Sequence, residues 1–157
     1  MTHETINTVP QNVVRPTDVC HIFPDPDATL DVVLVIENTK LPAEKRTWSI
    51  VWRIEEGQPE YRVIQVVREG PHATWFKWGV RTTAYQSCVQ KAAVINVGTF
   101  SLVQRKLWED ISDNVSVRPD CNGSLVFVEE LLRKAADAGL LSGERVAFLV
   151  NKIKDEL

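Results

Sequence analysis

A change of hydrophobic period near residue 100 constrains this chain more than any other feature. Before it, the apolar residues recur as they do in strands. Residues 32–36 (Val-Val-Leu-Val-Ile) form a continuous apolar run of the kind found in a buried strand. Residues 47–54 alternate, with Trp48, Ile50, Trp52 and Ile54 on one face and Thr47, Ser49, Val51 and Arg53 on the other. Glu-Glu-Gly-Gln-Pro at 55–59 makes a turn. Residues 61–67 return, with Tyr61, Val63, Gln65 and Val67 facing away from Arg62, Ile64, Val66 and Arg68. Gly70-Pro71 interrupts the chain before a strand over 74–80, and residues 92–100 read as a fifth strand. Beyond Phe100 the period becomes helical: 102–111, a stripe from Leu125 to Ala136 ended by Gly139, and a last helix that Ser142 caps. Strands followed by helices predict an α+β fold, with a mostly antiparallel sheet of about five strands packed against C-terminal helices.

Length and charge narrow the function classes. A chain of 157 residues fits one domain, read here as residues 17–157 behind a loose, Pro-containing N-terminal arm at 1–16. A net charge of -3 and the lack of a basic run disfavour nucleic acid as a partner. No apolar stretch approaches the ~18 residues of a membrane span. Cys20, Cys88 and Cys121 are three in number and widely spaced, so they read as free thiols without metal-ligand spacing. His21 with Asp25 and Asp27 reads as turn chemistry between Pro24 and Pro26 rather than as a metal site, and no cofactor is implied. Asn114-Val115-Ser116 and Asn122-Gly123-Ser124 match glycosylation acceptors, and Lys154-Asp155-Glu156-Leu157 matches a retention tetrapeptide. With no basic and apolar leader at the start, the tetrapeptide reads as the chance end of an amphipathic helix, and the expected location is cytoplasmic.

Thr47-Trp48-Ser49-Ile50-Val51, Tyr61-Arg62-Val63, the run Gly123 to Leu132 and Ala138-Gly139-Leu140-Leu141 follow one another in a familiar order. Together they resemble the permuted papain-like superfamily of lecithin:retinol acyltransferase-like and NlpC-like proteins, including a branch of small fungal proteins. The similarity spans roughly residues 30 to 155. In that family a thiol at a helix N-terminus is activated by a His on a neighbouring strand, with a third polar group orienting the imidazole. The resemblance puts the nucleophile position on Ser124, the base on Thr47 and the orienting group on Arg62. All three depart from the family pattern, so thiol chemistry is not expected at that place.

The expectation is therefore a repurposed thiol-enzyme scaffold, with Ser124, Thr47 and Arg62 converging on a hollow. Trp48, Trp52, Tyr61, Trp75 and Trp78, together with Cys121, would hold an apolar small molecule there, because an indole presents an apolar body and one N–H donor. Any reaction would be a cofactor-independent cyclisation or isomerisation. Two alternatives stand beside it. One is a non-catalytic interaction module, such as a homodimer with an aromatic interface. The other is a thiol hydrolase or acyltransferase built on Cys121, with His72 or His21 as base.

Overall fold

The computed structural model describes residues 17–69, 74–77, 79–117 and 123–157. The arm at 1–16, His72, Trp78 and Cys121 lie outside them. The fold is α+β, with six strands in an antiparallel sheet and three helices C-terminal to it. The strands are β1 (Leu30–Glu37), β2 (Thr47–Arg53), β3 (Glu60–Glu69), β4 (Thr74–Lys77), β5 (Arg81–Ala84) and β6 (Ala93–Phe100). Their order is β4-β3-β2-β1-β6. β5 joins the same outer side of β3 as β4: β5 pairs with its first residues and β4 with its last. β5 and a five-residue helix, α1 (Gln86–Gln90), were not expected, and β4 ends at Lys77 rather than at residue 80. Both new elements are too short for an apolar period to register.

The helices are α2 (Leu102–Asp113), α3 (Gly123–Asp137) and α4 (Gly143–Asp155). Their ends carry the chemistry that helix ends require. Ser101 and Gln104 form a reciprocal capping box on α2, and the Ser142 hydroxyl accepts from the Arg145 amide on α4. At the end of α3, Gly139 takes φ +82°, and the Leu140 and Gly139 amides donate to Ala135 and Ala136. That double bond pattern is the Schellman closure, which needs a residue free to adopt the left-handed region. The tetrapeptide at 154–157 forms the last turn and cap of α4, and the Glu156 carbonyl accepts from the Arg46 guanidinium.

All three helices cover one face of the sheet. The core there joins Val32, Leu34 and Ile36 of β1 and Trp48, Ile50 and Trp52 of β2 to Trp108, Val128, Leu131, Leu132 and Leu149. Each such side chain contributes about 1.5–3 kcal/mol on burial. A Cβ on Gly123 would lie 2.8 Å from Trp75 Cγ, so the first turn of α3 seats directly on β4 only because that residue is glycine. Arg105 of α2 is fully buried and ties down the segment before β1. It donates to both Asp25 carboxylate oxygens and to the carbonyls of Pro26, Ala28 and Phe100.

Candidate functional site

The opposite face of the sheet carries a second, smaller apolar cluster of Val35, Val51, Tyr61, Val63 and Tyr85, with Cys88 and Val89 of α1 packed against it. Strand alternation places Ser49 and Gln65 on this face too, paired across β2 and β3. Both are buried, so each must find a partner inside the protein. They do so in one continuous chain. The Arg81 guanidinium of β5 donates to Gln65 Oε1, and Gln65 Nε2 donates to Ser49 Oγ at 3.0 Å. Ser49 Oγ meets the Tyr85 hydroxyl at 3.4 Å, the one long link, and Tyr85 donates to Glu37 Oε2 at 2.6 Å. A cation that cannot lose its proton thus stands at one end and a carboxylate at the other. Every link between them can point its hydrogen the same way, so the dipoles reinforce one another.

Glu37 ends β1 on the wall of a cleft of about 550 Å³, between the turn at 38–41 and α1. Asn38, Thr39, Lys40, Leu41, Ser87, Cys88, Lys91 and Ala92 complete its lining. Asn38 has φ +59° and is the only non-glycine residue in the left-handed region among the described residues. Asparagine tolerates that conformation better than most, and such backbone concentrates at functional sites. Here it starts a turn closed by the Leu41 amide on the Asn38 carbonyl, which carries Lys40 and Leu41 to the rim of the cleft. Burial, then the Glu37 charge, pushes the Tyr85 phenol well above its ordinary range. The same two causes, in the same order, push the Cys88 thiol up. The cleft therefore presents a carboxylate braced by the Tyr85 hydroxyl, a thiol, the hydroxyls of Thr39 and Ser87, and two ammonium groups. It has no thiolate.

No family model, curated protein or solved structure matches the chain, so the site is read from its own geometry.

The structure does not bring Ser124, Thr47 and Arg62 together. Ser124 is fully buried in the first turn of α3, where its hydroxyl accepts from the Trp48 amide at 2.8 Å and donates to the Trp48 carbonyl at 3.1 Å. The last β2–β3 pair is Ser49 with Gln65, so Trp48 lies one residue past the point where β3 leaves β2. Ser124 fills the ladder position that β3 vacates, and both its bonding capacities are used by backbone. Thr47 shares a face with Ser49 and Val51, across the sheet from the helices, and pairs with Glu37. Arg62 pairs with Trp52, five residues from Thr47 along β2, roughly 16 Å at ~3.3 Å per residue. Its guanidinium is held by Glu109 at 2.6 Å, Thr82 at 3.2 Å and Asp18 at 3.5 Å. Burial opposes the Arg62 charge, but Glu109 and Asp18 outweigh it and raise its pKa. Asp18 in turn is held below the usual carboxylate range: burial opposes this, and the Thr82 and Cys20 amides and Arg62 prevail.

The aromatic residues expected to line a pocket are packed. Trp48 and Trp52 are wholly inaccessible and Trp75 nearly so, all in the helix-covered core, while Tyr61 stacks edge-on against Tyr85 on the other face. The Trp52 indole donates to Asp25 at 3.2 Å, and Asp25 is thereby committed to Trp52 and Arg105. A second cleft of about 300 Å³ touches Arg62, and its other walls are Asp25, Lys106, Glu109 and Asp110. Sequence reading missed Glu37, Ser49, Gln65, Arg81, Tyr85 and Cys88 as a group. The available signal was a serine and a glutamine alternating with valines on strands whose other face is apolar.

Proposed function

We propose that the chain is a small-molecule-binding protein whose site is the cleft between the end of β1 and α1. The carrying observation is the buried chain from Arg81 through Gln65, Ser49 and Tyr85 to Glu37. A small apolar cluster gains nothing in stability from so many polar groups that apolar residues of like shape would not supply. Their common effect is to hold one carboxylate in fixed orientation on the wall of a cleft large enough for a small organic molecule. The first turn of α3 lies on the start of β2, and the resemblance to permuted papain-like proteins implies a like placement for nucleophile and base elements. With Ser124 bound to backbone, chemistry belongs to the other face.

The groups there favour rearrangement over hydrolysis. Glu37 accepts a proton from a carbon of the bound molecule and returns it to another, which completes an isomerisation with no co-reactant, while the thiol and phenol stay protonated. An NMR fragment screen on the full chain tests the binding site. Hits should shift the amides of residues 37–41 and 87–92, and Ala92→Trp, which fills the cleft, should remove those shifts. Hits confined to other regions, or shifts that survive Ala92→Trp, would overturn this assignment.

A further inference from the structure

Charge sorts the two clefts and gives the first one a ligand class. The cleft beside Arg62 holds three carboxylates against two cations, and its arginine is already paired with Glu109. The cleft at the end of β1 holds one carboxylate against two cations. Its carboxylate already accepts a hydrogen bond from within the protein, from the Tyr85 hydroxyl. Its cations are not: neither Lys40 nor Lys91 forms a salt bridge to a described residue, and both are exposed on the two sides of the opening. Between them lies apolar surface. Leu41 leaves 43% of its area exposed at the rim, and Ala92 continues that surface inward.

Resting on the binding site assigned above, the geometry points to an amphipathic monocarboxylate as the ligand. Its apolar body lies on Leu41 and Ala92, and its carboxylate sits between the ammonium groups of Lys40 and Lys91. A monoanion leaves the occupied cleft neutral, since the cleft itself carries a formal charge of +1 from two lysines and one glutamate. Lysine suits this task as a mobile point charge on a flexible stem, able to follow ligands of differing length. A cationic head would meet two ammonium groups, and Glu37 is already partly satisfied by the Tyr85 hydroxyl at Oε2.

Three probes with one apolar body and different heads test the class: 4-phenylbutyrate, 4-phenylbutanol and 4-phenylbutylamine, titrated into the full chain and followed at the amides of residues 37–41 and 87–92. The carboxylate should bind roughly tenfold tighter than the alcohol, as expected for two exposed ion pairs, and the amine weakest. The Lys40→Gln/Lys91→Gln double variant, altered only at exposed positions, should erase the gap between carboxylate and alcohol, and so should 0.5 M salt. Equal binding of carboxylate and alcohol, or preference for the amine, overturns the ligand class while leaving the cleft as a binding site. A cleft that takes up fragments but none of the three probes overturns the class as well. No shift from any fragment or probe at these amides brings down the binding-site reading itself.

Discussion

The two faces of the sheet are made from the same strands and have opposite character. Under the helices, Trp48, Trp52, Trp108, Phe127 and Leu131 pack into a dry core in which the fully buried Arg105 is saturated by a carboxylate and three carbonyls. Under α1, a cluster built on five buried residues shares its space with Ser49, Gln65, Arg81 and the Tyr85 hydroxyl. The first face supplies the stability, and the second uses part of it to hold a polar constellation in place. Fold and candidate function are thus separated by one strand thickness, and the side-chain alternation of β1, β2 and β3 does the separating.

The contrast can be broken most forcefully on the helix side. Trp52→Ala should cost about 3–5 kcal/mol in urea unfolding, because it opens a cavity in packed core and strips Asp25 of one donor. A loss below ~1 kcal/mol would mean that this face is not the stabilising one. On the other face, Gln65→Leu should cost about 1–3 kcal/mol, since Ser49 loses a donor and Arg81 loses the Gln65 acceptor. The accompanying effect is functional: Glu37 loses its far brace, so fragment shifts around the cleft should broaden or weaken. An unchanged or raised stability, with unchanged fragment shifts, would reduce the polar chain to an accident of packing.

A smaller effect sharpens the picture at the cleft wall. Burial and the Glu37 charge together raise the Cys88 pKa, so the folded protein keeps that proton longer than the unfolded chain. The linked stability is full below the ordinary thiol value of 9.0 and is lost as pH rises through the folded value. Peptide-level iodoacetamide labelling should therefore give Cys88 a midpoint above 9.0, and Glu37→Gln should move it part of the way back, because burial remains. A wild-type midpoint at or below 9.0 would separate Cys88 from Glu37 and loosen the site as drawn.

Strong periodicity made most of the architecture legible. β1, β2, β3 and β6, the three helices and their caps at Ser142 and Gly139 could be read directly, because each carries an apolar face long enough to repeat. β5 and α1 could not, being four and five residues long; Tyr85 between them bonds the Pro59 carbonyl through its amide and meets Tyr61 with its ring. The candidate site suffered from the same limit. Trp48 and Trp52 drew attention as large, chemically distinctive residues, yet they are core. Glu37, Ser49 and Gln65 are ordinary in isolation and acquire meaning only through register, which sets Val35 against Ser49 and Ser49 against Gln65.

The amino-acid order alone determined that strands precede helices, that β2 and β3 form a hairpin, and which side chains share a face, since those are properties of local period and turn chemistry. Tertiary structure alone decided that Ser124 meets the Trp48 backbone, that Arg62 belongs to Glu109 and Asp18, and that five polar groups from four separate segments join end to end. The physical reason is that a hydrogen bond depends on distances of about 3 Å between groups far apart in the chain. Neither composition nor spacing carries those distances until the sheet has closed.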